Sequence, residues 1–211
     1  MSDNQEDLSF TRQYQALVIG ASAGGFNALC YLLPLFPEKF PLAIIVLQHR
    51  GESLNHNLNN DDDFLISHLQ RLCAMKVEEA KQRDTIKAGR IYIAPAKYHL
   101  LVEQEHIFSL SLEPPVNYSI PSIDVLFNSA SRCYKNQLIG LILTGANHDG
   151  SLGLKTIHDN GGLTFVQSPD TAEVATMPQA AISKHKVDHV LALNDIAKFL
   201  QELILRGKSK W

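Results

Sequence analysis

Residues 16–29, ALVIGASAGGFNAL, run from an unbroken apolar segment through a glycine-rich turn into helical spacing. Ala16 to Ile19 have the length and apolarity of a buried strand bounded by a turn. From Phe26 the apolar residues Phe26, Leu29, Cys30, Leu32 and Leu33 recur at helix spacing. Ser22 therefore stands on a strand-to-helix elbow. Gly24 and Gly25 let the backbone bend there and approach another group without a Cβ clash. The pentad Gly20-Ala21-Ser22-Ala23-Gly24 fits the G-x-S-x-G nucleophile elbow, in which the hydroxyl is exposed beside a helix N-terminus. The next backbone N–H and that helix end can hold a developing negative charge. Dinucleotide-binding domains open on the same strand–turn–helix order. In their G-x-G-x-x-G fingerprint, however, the second glycine position is here Ser22, whose side chain would crowd a pyrophosphate. The pentad alone leaves both readings open.

The rest of the chain repeats the alternation. Strands are predicted over 16–20, 42–47, 77–80, 138–143, 163–167 and 188–192, and helices over 25–36, 64–75, 121–134, 151–159, 178–184 and 194–206. Arg90–Ala94, Leu100–Glu103 and His106–Leu110 read as short strands joined by tight turns, an antiparallel interruption. Ser122 is the expected N-cap of the third helix, with Asp124 in its first turn. Continuous apolar strands separated by helices predict an α/β fold. It is a doubly wound, mostly parallel sheet with helices on both faces and a small antiparallel hairpin insertion. The expected organisation is a flexible N-terminal arm over 1–13, a single domain over 14–206 and a C-terminal tail over 207–211.

Composition narrows the function classes. A net charge of −3 over 211 residues gives no basic face for nucleic acid. Three scattered cysteines, Cys30, Cys73 and Cys133, form neither a zinc pattern nor a disulfide framework and suit buried free thiols in a reducing cytoplasm. No apolar run approaches the ~20 residues of a membrane span, and the polar N-terminus is no signal peptide. The run Asp61-Asp62-Asp63 reads as a solvated helix cap. Adjacent His148 and Asp149 do not suit one metal ion, so no metal and no organic cofactor are expected. His99 is expected to pack or hydrogen-bond, and His185 and His189 to lie in a solvated turn.

Ligands of parallel α/β sheets bind beyond the carboxyl ends of the strands. Three reactive side chains follow three predicted strand ends: Ser22, His49 and Asp149. Nucleophile, base and orienting carboxylate are what acyl transfer needs. Their chain order differs from the Ser, Asp, His order of α/β-hydrolases.

The motifs in this order resemble those of the CheB protein-glutamate methylesterase family over about Ala16 to Leu200. The resemblance lies in Ile19-Gly20-Ala21-Ser22-Ala23-Gly24-Gly25, Val46-Leu47-Gln48-His49, Arg90-Ile91-Tyr92-Ile93-Ala94-Pro95 with His99-Leu100, and Pro121-Ser122-Ile123-Asp124-Val125-Leu126-Phe127. Leu143-Thr144-Gly145 with Asp149-Gly150, and Met177-Pro178 with Ala180-Ala181, extend it. It implies a cytoplasmic serine esterase that removes methyl groups from glutamate methyl esters on chemoreceptor cytoplasmic domains and deamidates certain glutamines. The family's serine, histidine and aspartate fall on Ser22, His49 and Asp149. Oxyanion and substrate contacts are expected at Ala23, Gly24 and Ala146, with Met177 as a wall. A chemotaxis regulator or methyltransferase is a further expected partner.

The sequence departs from the family pattern at several points. Ala146 and Asn147 replace a methionine and a glycine in the loop before Asp149, and a left-handed backbone is expected at Asn147. Ala23 stands where threonine is common, and Ile120 where a basic residue is common. The loop over 51–63 is longer and lacks a Pro-Pro pair. These changes bear on substrate recognition and rate. They keep a catalytically weak regulatory or binding module as the alternative function. Fifteen residues before the first strand are too few for a receiver domain, so partner-based or constitutive control is expected.

Overall fold

The computed structural model describes residues 14–50 and 61–206. Four strands come first: β1 (Ala16–Ala21), β2 (Ala43–Gln48), β3 (Lys76–Glu79) and β4 (Arg90–Ile93). A separate antiparallel pair follows, β5 (His99–Val102) and β6 (Phe108–Ser111). The chain then returns to the main sheet with β7 (Leu138–Ile142), β8 (Leu163–Gln167) and β9 (His189–Leu191). The main sheet has seven strands in the order β3-β4-β2-β1-β7-β8-β9, and every neighbouring pair is parallel. The order reverses at β1, with β2 on one side and β7 on the other, which opens a ligand crevice at their carboxyl ends.

Alternation along β1 divides the core. Leu17 and Ile19 pack with α1 (Gly25–Leu32), α2 (Asp61–Leu72) and the C-terminal helix, Leu193–Arg206, on one face. Ala16 and Val18 pack on the other with α3 (Ile123–Tyr134), α4 (Ser151–Asp159), α5 (Thr176–Lys184) and the β5–β6 pair. Both layers exclude water from the central strands, which is why those strands are apolar without interruption.

Several expectations shift. Arg90–Ile93 is no part of the antiparallel piece; it joins the parallel sheet between β2 and β3. Ile91, Tyr92 and Ile93 are all buried, as an interior strand requires. The first helix ends at Leu32 and tightens into a 3₁₀ turn over Leu33–Leu35, where Pro34 cannot supply an N–H. His189 is not in a turn: it lies in β9 with its ring 4.8 Å from that of Phe165, and His185, in the preceding turn, is half-buried. Of the cysteines only Cys73 is buried; Cys30 and Cys133 are partly exposed. The loop over 51–60 lies outside the described residues.

Ile123 locks α3 against the sheet end. A Cβ on Gly20 would lie 2.5 Å from Ile123 Cγ2, and one on Gly150 would lie 2.6 Å from the same atom. Gly150 also has φ +90°, which an L side chain resists. Gly150→Ala is therefore expected to cost about 3 kcal/mol from strain and overpacking together. Thermal unfolding should show a Tm lower by roughly 10 °C, whereas an unchanged Tm would mean that Ile123 does not seat on Gly150.

Candidate active site

Parallel register sets the first two residues side by side. Ala21 pairs with Gln48, and the His49 N–H donates to the Ala21 carbonyl at 2.9 Å. Ser22 and His49 are thus the first residues beyond adjacent strand ends. On the other side of β1 the Ser22 N–H donates to the Thr144 carbonyl at 3.0 Å, tying the elbow to the loop after β7. That loop carries Asp149, which crosses above β1 to reach the ring of His49. His49 Nε2 and Asp149 Oδ2 are 2.9 Å apart.

Asp149 is fully buried, and its carboxylate is held by amides of a different helix. The Ile123 N–H donates to Oδ2 at 2.6 Å and the Asp124 N–H to Oδ1 at 3.1 Å, so the positive end of α3 points at the charge. The Ser122 hydroxyl donates to Oδ1 at 2.8 Å, the Asn117 amide at 3.1 Å and the Gly150 N–H at 3.1 Å. Burial alone would raise the Asp149 pKa. The hydrogen bonds from His49, Ile123, Asp124 and Asn117 outweigh it and hold the carboxyl below its ordinary value. An ionised Asp149 requires the proton on His49 Nε2, which puts the in-plane lone pair on Nδ1.

Asp124 returns the favour to the helix that follows Asp149. Its Oδ1 accepts the Gly153 N–H at 2.6 Å, in the first turn of α4. Each aspartate thus caps the other's helix, and Asn117 Nδ2 bridges them at 2.7 Å to Asp124 and 3.1 Å to Asp149. Burial first, and then the neighbouring Asp149 charge, push the Asp124 pKa up.

The model of the CheB methylesterase family matches residues 17–200. The chain belongs to the CheB methylesterase family. A Leptospira interrogans relative bearing the protein-glutamate methylesterase/protein-glutamine glutaminase name is 48% identical over 190 residues, which cover 90% of this chain and 95% of that one. A Clostridium acetobutylicum protein of the same name is 34% identical over 90% of this chain, which spans only 53% of its length. The crystal structure of the Thermotoga maritima CheB methylesterase catalytic domain superposes with a TM-score of 0.83 at 30% identity. The superposition covers 90% of this chain and 99% of that domain. This CheB-type fold is the parallel α/β sheet with an antiparallel insertion expected from the sequence.

Within this CheB-type chain the expected site residues are placed as follows. Ser22, His49 and Asp149 gather at the carboxyl ends of β1, β2 and β7. The backbone N–H groups of Ala23 and Ala146 have no protein acceptor among the described residues. Gly24 has φ +77° and precedes α1. Met177 is buried in the first turn of α5; a Cβ on Gly145 would lie 2.6 Å from Met177 Cε and 2.9 Å from Ser22 Cβ, so the three form one wall. His99 hydrogen-bonds as expected, accepting the Ser122 N–H on Nδ1 at 3.1 Å.

Ser122 is the N-cap residue of α3 and Asp124 stands in its first turn, as expected, but the Ser122 side chain makes no capping bond: the Asp149 carboxylate takes the Ile123 and Asp124 amides, and the Ser122 hydroxyl donates to that same carboxylate. Asn147 is not among the residues with positive φ, and its side chain, not its backbone, sets its role. Asn147 Oδ1 accepts the Asp149 N–H at 3.1 Å, and its Nδ2 lies 3.2 Å from His49 Nδ1.

Gln48 and Asn117 escaped notice as site residues. Gln48 Nε2 donates to the Ser22 carbonyl at 2.8 Å and to the His49 carbonyl at 2.9 Å, binding the two strand ends with one amide. A polar residue ending an otherwise apolar strand was the available signal. Gln48→Met keeps the side-chain length and loses both bonds. It is expected to lower turnover on a methyl-ester substrate about tenfold with KM little changed, as loosened alignment does. Steady-state rates check this, and unchanged turnover would assign Gln48 to packing alone.

Proposed function

We propose that this chain hydrolyses glutamate methyl esters on the cytoplasmic domains of chemoreceptors, with glutamine deamidation by the same chemistry. Ser22 is the nucleophile, His49 the general base and Asp149 the orienting carboxylate. The observation that carries this reading is the 2.9 Å contact of His49 Nε2 with the buried Asp149 carboxylate, one strand away from Ser22.

His49 Nδ1 takes the Ser22 proton as Oγ attacks the ester carbonyl carbon. Asp149 stabilises the imidazolium that forms and does not itself accept the proton. The tetrahedral oxyanion is received by the N–H groups of Ala23 and Ala146, with Gly24 allowing the close approach and Met177 closing the side of the pocket. The intermediate collapses, the C–O bond to the methoxy group breaks, and Nδ1 returns the proton so that methanol leaves. Water then attacks the glutamyl-Ser22 ester with the same base, giving the glutamate carboxylate and free Ser22. For glutamine the leaving group is ammonia in place of methanol. The chemistry asks for no cofactor. The expected setting is the cytoplasm, where receptor bundles carry their methyl esters. Among the described residues no helix is long and apolar enough to cross a membrane.

The test is methanol release from receptor membranes methylated in vitro. Release above the buffer rate is the expected result. No release, from receptors that another methylesterase demethylates, would favour a regulatory or binding module on the same fold.

A further inference from the structure

The imidazole of His49 is engaged on both edges. Nε2 faces Asp149 at 2.9 Å, and Nδ1 faces Asn147 Nδ2 at 3.2 Å. The orientation of the Asn147 amide is fixed by its other end, because Oδ1 accepts the Asp149 N–H at 3.1 Å. Reversing the amide would set a donor against that N–H and an acceptor against the Nδ1 lone pair. A neutral imidazole has a single in-plane lone pair, so Asn147 and Ser22 compete for it. In keeping with this, Ser22 Oγ has no hydrogen-bond partner among the described residues.

We propose that Asn147 is a latch on the catalytic base, occupying His49 Nδ1 in the resting site and releasing it when Ser22 reacts. This rests on the reading of His49 as the base for Ser22. The latch fixes the tautomer with the bare Nδ1 that the reaction uses. It also disfavours imidazolium, because a protonated Nδ1 would face the amide with donor against donor. In the attack step the Ser22 O–H bond breaks, the Nδ1–H bond forms, and the Asn147 Nδ2–H···Nδ1 contact is lost. Asn147 is thus a positioning residue for the base. Asp149 is charged and lies against the ring, and Asp124 lies behind it through Asn117. Both carboxylates keep their side-chain partners when Asn147 is changed, although the Asp149 N–H loses its acceptor in Asn147→Ala and Asn147→Gly.

The experiment titrates His49 in the full chain by NMR of ¹⁵N-labelled imidazoles, comparing the parent with Asn147→Ala and Asn147→Gly. Methyl-ester hydrolysis is followed over the same pH range. Removing the amide should raise the proton affinity of His49 about three- to tenfold, the worth of one hydrogen bond. The acidic limb of kcat/KM should move to higher pH by the same factor, and the plateau rate should rise about three- to tenfold. Asn147→Asp, which offers Nδ1–H an acceptor, should move the titration further the same way. An unmoved or lowered His49 midpoint in folded Asn147→Ala or Asn147→Gly overturns the latch, as does a lower plateau rate with the midpoint unmoved, which a purely loop-bracing Asn147 would give. The NMR midpoint reports on the latch whether or not the parent releases methanol, whereas absent release from the parent counts against the esterase reading.

Discussion

Ser22→Ala is expected to lower methanol release by about 10⁴-fold or more while leaving the fold intact. The hydroxyl has no hydrogen-bond partner among the described residues, so its loss leaves nothing buried and unpaired. The backbone contacts of the elbow, Ser22 N–H to Thr144 carbonyl and Gly25 N–H to Ser22 carbonyl, do not depend on it. Stability should change by no more than about 0.5 kcal/mol. Initial rates of methanol release and thermal unfolding, measured on the same preparation, separate the two effects. A variant that keeps a tenth of the parent rate would remove Ser22 from the chemistry. His49→Ala should fall as far as Ser22→Ala, and the double variant no further, because nucleophile and base act as one unit.

Asp149→Asn is expected to damage both rate and stability. The carboxylate accepts from His49, Ser122, Ile123, Asp124, Asn117 and Gly150. An amide presents an N–H where one of those donors stands, leaving buried groups unpaired at about 3–5 kcal/mol. That corresponds to a Tm lower by roughly 10 °C in a domain of this size. The rate should fall about 10⁴-fold, because His49 no longer has a reason to keep its proton on Nε2 and loses the Nδ1 lone pair. The pH dependence carries a sign. The folded Asp149 pKa lies below its unfolded value, so its stabilisation is present above the ordinary aspartate pKa of about 3.9 and is lost as pH falls through the depressed folded value. Asp124 works the opposite way. Its folded pKa is raised, so its contribution is fullest below the unfolded value and is lost as pH rises through the folded one. In acid unfolding followed by circular dichroism, Asp149→Asn should lose part of the low-pH destabilisation seen in the parent. An acid profile identical in shape would contradict the carboxylate cage.

What was legible in the sequence was what local pattern encodes. The run Ala16–Ile19 followed by a glycine turn gives β1 and its elbow, because a short, wholly apolar stretch suits only a strand covered on both faces. Parallel strands then bring residues that follow strand ends to one edge, so strand order alone groups Ser22, His49 and Asp149. The parts that were not legible depend on partners far along the chain. Arg90–Ile93 looks like the first strand of a meander, and only its pairing with Ile44–Val46 makes it parallel. Ser122 has the residue type and position of an N-cap, yet the helix amides go to a carboxylate 26 and 25 residues downstream and its hydroxyl follows them. Asn147 invites a backbone explanation because asparagine tolerates left-handed turns. Its amide instead reaches a histidine 98 residues earlier, a contact no periodicity announces.

The most direct test of the Ser22–His49–Asp149 assignment is covalent mapping with a small fluorophosphonate, which captures an activated serine. Intact mass and peptide mapping should show one adduct per chain, on Ser22, formed at a rate that collapses in His49→Ala. An adduct on any other serine, Ser122 and Ser151 included, or labelling of Ser22 that proceeds undiminished without His49, would contradict the assignment.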